Sequence, residues 1–218
     1  MKYFTKEWYK EMQVSGFLVF PETKEEWEKM LAFYKSEGID YKKHFKEDLE
    51  SRKSDLLTYL PESFHPYIYD GTLNSEYPTP ELRKMAEEWQ KKYDERMEII
   101  EKKYTQYYDS IKEKLPKNVV QLRENSLHDA KVLSIEIPSK DMFVITLDCR
   151  GGFHYFTDIK LTFLGVKELS PPDKLEGAWW LYDEVYTHKA GFELHVLFDA
   201  PLTEFTIIAE NVLIEKLK

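Results

Sequence analysis

Through the first 115 residues apolar positions recur every three or four places, and past the junction Leu115-Pro116-Lys117-Asn118 they mostly alternate. The two periods predict an α+β chain. A helical N-terminal region with one very long helix spans 1–115, and an antiparallel β domain spans 116–218, its sheet either a sandwich or packed on the helix. Thr5, with Phe4 before it and Tyr9 inside, predicts a capped first helix closed by a hydrophobic staple. Thr23-Lys24-Glu25-Glu26 is a capping box, followed by Trp27, Met30, Leu31 and Tyr34 on one stripe and Gly38 as a stop. Asp40 opens a third helix, whose Tyr41, Phe45, Leu49, Leu56 and Leu60 share a face until Pro61 ends it. Thr79 and Pro80 open a fourth that keeps its stripe from Leu82 to Leu115 without another Gly or Pro, a rod about 50 Å long at about 1.5 Å per residue.

In the second half, alternation predicts six strands. The first two, around Leu133–Ile137 and Phe143–Leu147, form a hairpin through Pro138-Ser139-Lys140-Asp141, and Gly151-Gly152 turns the chain into a strand carrying Ile159, Leu161 and Phe163. Residues 179–188 and 192–198 form a second hairpin around a three-residue loop, Lys189-Ala190-Gly191, and residues 203–213 supply the last strand. That loop length sets Tyr186 opposite Leu194 and Glu184 opposite Val196, which draws Glu184 onto the core face of Phe192, Leu194, Val196 and Phe198. A carboxyl group there needs hydrogen bonds or a cation, or keeps its proton. The opposite face then gathers Asp183, Glu193 and His195.

The chain has 218 residues, 42% hydrophobic and 33% charged, which suits a folded protein. Its longest apolar run, Ala178-Trp179-Trp180-Leu181-Tyr182, is far below the roughly 20 residues of a membrane span, and the N-terminus lacks the pattern of a signal peptide. With one cysteine, Cys149, there is no intrachain disulfide, so a cytoplasmic protein is expected, with Cys149 a small buried hydrophobe. Net charge is −9, and both halves are acidic. Phosphate backbones reward clustered cations, so neither nucleic acid nor a membrane is expected as partner. The Lys42-Lys43 pair with Lys46 is a local basic strip, which Glu47, Asp48 and Glu50 make readable as a solvated helix face.

Residues 62–78, between the third and fourth helices, are the outstanding candidate for function. A loop of this length in a compact domain often binds something, and this one carries Phe64, His65, Tyr67, Tyr69, Asp70 and Tyr77. Its alternative role is an Ω-loop whose rings plug it onto the helices. Zincin helices, Cys pairs, Gly-rich phosphate loops and nucleophile elbows are absent from the sequence. The best constellation for chemistry is His128, Asp129, His154, Asp183 and His195, with Asp158 four positions beyond His154. If the sheet brings them together they can bind a divalent metal and support hydrolysis.

Four segments carry a family likeness: residues 1–9, Leu60-Pro61-Glu62-Ser63-Phe64-His65-Pro66-Tyr67-Ile68-Tyr69-Asp70-Gly71-Thr72, Ser126-Leu127-His128-Asp129-Ala130, and Trp180-Leu181-Tyr182-Asp183-Glu184-Val185-Tyr186. Together they resemble a Gram-positive bacterial family, domain-of-unknown-function family 4085. The resemblance implies a bacillus-type cytoplasmic protein and supplies no activity, cofactor or catalytic residue. The expectation is therefore a binding module without enzymatic activity or cofactor, using the aromatic loop and nearby sheet surface to hold a protein or small ligand. The alternative is the metal-assisted hydrolase.

Overall fold

The computed structural model describes residues 1–172 and 174–217. It is α+β, with helices first and an antiparallel sheet second. Two compact units form, one of Glu7–Ile99 and one of Met1–Lys6 with Ile100–Lys218. Division by packing thus differs from division by hydrophobic period, because the long helix belongs to the first unit through Ile99 and to the second from Ile100.

The helical unit is built from α1 (Lys6–Phe17), α2 (Lys24–Ser36), α3 (Tyr41–Tyr59), the short α4 (His65–Tyr69) and the first part of α5 (Pro80–Ile111). Its starts lie where the caps predict. The Thr23 hydroxyl accepts from Glu26 N at 3.2 Å, Asp40 Oδ1 from Lys42 N and Lys43 N at 3.1 and 3.2 Å, and Thr79 Oγ1 from Leu82 N at 3.1 Å. Trp27, Phe45, Leu49, Leu56, Phe64, Ile68, Leu73, Leu82 and Trp89 are buried, and Trp89 Nε1 donates to the Tyr59 carbonyl at 3.2 Å. The α5 helix runs 32 residues before a single 3-10 turn at Lys112–Lys114 and then α6 (Lys117–Glu124).

In the β unit the described residues form eight strands: β1 (Ala130–Ser139), β2 (Met142–Asp148), β3 (Asp158–Leu164), β4 (Glu168–Ser170), β5 (Trp179–His188), β6 (Gly191–Asp199), β7 (Thr203–Ala209) and β8 (Asn211–Lys216). They make one sheet in the order β4-β7-β6-β5-β1-β2-β3-β8, every pair antiparallel. The expected last strand is in fact two. At Glu210, whose N–H donates to the Leu164 carbonyl at 2.9 Å, the chain leaves the β6 edge and joins β3. The other missed strand, β4, has only three residues, too few for alternation to register.

Since β7 and β8 are separated by one residue yet lie near opposite ends of the sheet, the sheet must roll. Among the described residues Ala130↔Trp180 and Lys131↔Trp179 pair its two four-stranded halves, and the Val132 N–H donates to the Ala178 carbonyl just beyond them. Their inner faces meet through Phe143 and Phe205, 5.5 Å between ring centroids, and Phe163 and Phe192, 6.4 Å. Tyr108, Ile111, Leu115, Val119 and Leu122 add helical side chains to the same core.

The β5–β6 hairpin corrects the expected register. Its turn is the two-residue Lys189-Ala190, with His188 paired to Gly191, so Val185 opposes Leu194 and Glu184 opposes His195. A one-residue slip exchanges faces: Glu184 lies opposite to the Phe192 face, and Asp183, opposite Val196, leaves the patch it was expected to share with Glu193 and His195. A bulge at Leu181 then returns Trp180 to the inside against Phe198. Gly191 is what the short turn requires. Its φ is +130°, and a Cβ would stand 2.5 Å from the Ala209 carbonyl oxygen. Gly191→Ala is therefore expected to destabilise the protein by about 2 kcal/mol or more, measured by urea unfolding, because both the backbone conformation and the β6–β7 approach resist it.

Candidate functional site

The first part of residues 62–78 is helical, and only residues 70–78 run as turns and irregular chain. Glu62–Phe64 make a 3-10 turn that runs into α4, with Pro66 in the first helical turn, where the missing N–H costs nothing. Phe64 and Ile68, four apart, point into the helical core, and Leu73 follows them. Asp70 then turns the chain: its Oδ1 accepts from Thr72 N at 2.9 Å and from the Thr72 hydroxyl at 2.6 Å, and Gly71 takes φ +80°. The expected ring cluster is thereby sorted. Phe64 is buried core, His65 stacks edge-on against Tyr69 at 6.2 Å, and the Tyr67 carbonyl accepts from Thr72 N and Leu73 N at 3.0 Å. Tyr69 remains 66% exposed.

This ordered segment forms one bank of a cleft of about 780 Å³. Tyr69, Asp70, Thr72, Ser75, Glu76 and Tyr77 line that side, while Trp27 and Leu31 of α2 and Tyr41, Lys42 and Lys46 of α3 line the other. Of the six expected binding residues, Tyr69, Asp70 and Tyr77 reach the cleft. The α3 bank follows from helical spacing: the Asp40 cap sets Lys42 and Lys46 one turn apart on the same face. Along the sequence these lysines read as a solvated strip, and only the fold places them beside the rings. Glu50 on the same helix is bound to Lys53 at 2.8 Å, whereas Lys42 and Lys46 form no ion pair among the described residues. Tyr77 is fixed by its hydroxyl, which donates to the Glu22 carbonyl at 3.3 Å, by the Trp27 ring at 6.5 Å, and by the Arg83 guanidinium at 5.7 Å. The cleft thus brings together two lysines without an ion pair among the described residues and two rings, Tyr69 with Lys53 Nζ 6.0 Å from its centroid and Tyr77 beneath Arg83, a lining that suits an anionic group attached to a flat apolar body.

The β unit holds a second unusual group. Glu184 is fully buried, as expected, but on the outer face, where residues 2–4 cover it. Lys2 N donates to Oε2 at 2.8 Å, and Tyr3 N and Phe4 N donate to Oε1 at 2.8 and 2.7 Å. The Tyr186 hydroxyl adds a fourth bond, to Oε2. Hydrogen bonds thus satisfy the carboxyl. Burial raises the Tyr186 pKa well above the ordinary tyrosine value, and the bond to Glu184 raises it further, so Tyr186 keeps its proton as donor. Tyr3 packs on Tyr104 at 5.2 Å, Phe4 on Tyr104 and Tyr182 at 5.1 and 5.7 Å, and Lys2 Nζ stands 4.5 Å above the Tyr186 ring. Tyr104 is itself pinned, its hydroxyl accepting from Val185 N at 2.9 Å.

The residues expected for a metal site are dispersed in pairs with other partners. His128 Nδ1 lies 3.1 Å from Asp129, with its ring against Phe153 and Tyr182. His154 precedes β3 rather than lying on it, stacked on Tyr155 at 4.8 Å, and Asp158 lies 3.4 Å from Arg150. Asp183 accepts from Trp180 Nε1 at 3.2 Å and stands 3.8 Å from Arg123. Burial pushes its pKa up, against the pull of Arg123. His195 Nε2 lies 2.6 Å from Glu193, and its Nδ1 is 3.2 Å from the Thr206 hydroxyl. Among the described residues no three His, Cys, Asp or Glu side chains stand together where they could hold a metal ion. Cys149 is buried, and its thiol is pushed up to about 12 by that burial and by Asp148 and Asp158 nearby, which suits a packing residue rather than a nucleophile. No helix among the described residues is long and apolar enough to cross a membrane.

A family model described as "Protein of unknown function (DUF4085)" matches residues 3–209. No curated protein matches the chain.

Proposed function

For a chain that belongs to the family Protein of unknown function (DUF4085), we propose a role as a non-enzymatic binding module whose site is the ring-lined cleft of the helical unit. The observation that carries this reading is the pairing of unspent lysines, Lys42 and Lys46, with the rings Tyr69 and Tyr77 across about 780 Å³ of open space. Polar groups that serve only the fold are normally spent on neighbours, as Asp70 is on Thr72 and Glu50 on Lys53. A small acid with a ring, or an acidic peptide side chain beside an apolar one, matches what remains.

Saturation-transfer NMR with 4-hydroxyphenylacetate and its neutral amide tests the reading. The acid is expected to bind at about millimolar affinity, the range open to a ligand of so few atoms, and more tightly than the amide. Lys46→Glu should abolish the preference for the acid and Tyr69→Ala should weaken both probes, with the fold unchanged by circular dichroism. Equal, variant-independent signals from both probes would remove the cleft as a binding site.

A further inference from the structure

The socket around Glu184 has the construction of a peptide receptor. Three successive main-chain N–H groups converge on one carboxyl group, and two adjacent rings fill places between tyrosines. Successive N–H groups can meet one carboxyl only where the backbone bends, as it does at Tyr3 and Phe4, so these bonds recognise that bend and the ring places select its side chains. We infer that this socket is a peptide-binding site that residues 1–5 of a second copy of the chain can occupy in place of the chain's own, giving a strap-exchanged dimer.

Three observations support the exchange. All the bonds named above lie within the β unit, to which Met1–Lys6 belong, whereas Glu7–Ile99 belong to the helical unit. Whichever chain donates the strap, the same contacts result, the condition under which swapping costs little. Second, an empty socket loses three of the four hydrogen bonds described for the Glu184 carboxyl and uncovers the rings of Tyr104 and Tyr182, so refilling it restores those bonds and reburies apolar surface. Third, the strap and its seat are chemically matched at each position: Lys2 over the Tyr186 ring, Tyr3 against Tyr104 and Tyr107, Phe4 between Tyr104 and Tyr182. The occupant whose fit the structure displays is this chain's own sequence.

In the intact chain the tethered strap has an effective concentration on the order of millimolar and outcompetes a free one. The test therefore uses full-length Tyr3→Ser/Phe4→Ser protein, whose strap is weakened and whose socket is intact. A fluorescent peptide of residues 1–8 should bind it saturably in anisotropy. Binding should fall at least tenfold when the peptide carries Phe4→Ser, and again when the protein also carries Glu184→Gln. Mixing the Tyr3→Ser/Phe4→Ser chain with full-length Glu184→Gln, which has an intact strap and a spoiled socket, should give by light scattering a species of twice the single-chain mass that neither forms alone. A folded Tyr3→Ser/Phe4→Ser protein that ignores the peptide overturns the inference, and peptide binding with a mixture that stays at single-chain mass overturns the second copy as occupant. Should that variant not fold, the unmodified chain is warmed with a hundredfold excess of labelled peptide: incorporation sustains the inference and its absence overturns it. None of these readouts involves the cleft of the helical unit.

Discussion

Replacing Glu184 with Ala is expected to cost the fold about 3–5 kcal/mol, the loss usual when one partner of a buried, hydrogen-bonded charged group is removed. The truncation leaves Lys2 N, Tyr3 N and Phe4 N without their acceptor, two of these bonds being part-buried and the Phe4 bond fully buried, and it deprives the Tyr186 hydroxyl of its acceptor as well. It also frees the strap that covers Tyr104 and Tyr182. Glu184→Gln keeps one acceptor oxygen but points an NH₂ at N–H donors, so an intermediate loss of about 2–3 kcal/mol is expected. Urea unfolding followed by far-ultraviolet circular dichroism measures both. A cost for Glu184→Ala below about 1 kcal/mol, the range of an exposed ion pair, would show that the four bonds contribute little in solution.

The second large effect separates rings that look alike in sequence. Phe64→Ala should destabilise the protein by about 3–4 kcal/mol through the cavity it leaves among buried side chains, whereas Tyr69→Ala, at an exposed ring, should change stability by no more than about 0.5 kcal/mol. Their order should reverse for ligand: Tyr69→Ala loses binding of 4-hydroxyphenylacetate, while Phe64 matters only through folding. Thermal unfolding of the two variants, with and without the acid, reads both quantities. If Tyr69→Ala proved as destabilising as Phe64→Ala, the whole segment would be a plug and the cleft would lose its wall.

Those two residues also show where the sequence was legible. Capping boxes, prolines and helical stripes act within a few positions, and they placed α2, α3 and α5 with little error, because a local cause leaves a local mark. The 62–78 segment was recognised as unusual, but its short α4 was not, since five residues hold too little periodicity to detect. Three cleft residues, Tyr69, Asp70 and Tyr77, are legible in the sequence as rings and a turn residue of one segment. Lys42 and Lys46 read as a solvated strip, because the acids beside them in sequence, Glu47, Asp48 and Glu50, conceal that Glu47 pairs with Lys43 and Glu50 with Lys53. The β5–β6 register failed on a single residue: whether Gly191 belongs to the turn or the strand depends on the β7 backbone that approaches it, a contact no hairpin rule contains. Glu184 was expected to be buried and is, but by residues some 180 positions away, which pattern along the strand cannot foresee.

The one-residue step at Glu210 has a bearing on how the protein is made. One flank of β3 is paired by β2 and the other by β8, and β8 is the last of the described strands in chain order. During synthesis β3 therefore emerges with Phe163, Leu161 and Ile159 and waits some fifty residues with one flank unpaired. An open hydrophobic flank of that kind is a template for adhesion to other nascent chains. Asn211–Lys216 thus act as a late seal, and a chain lacking them is expected to adhere to others through the bared flank of β3.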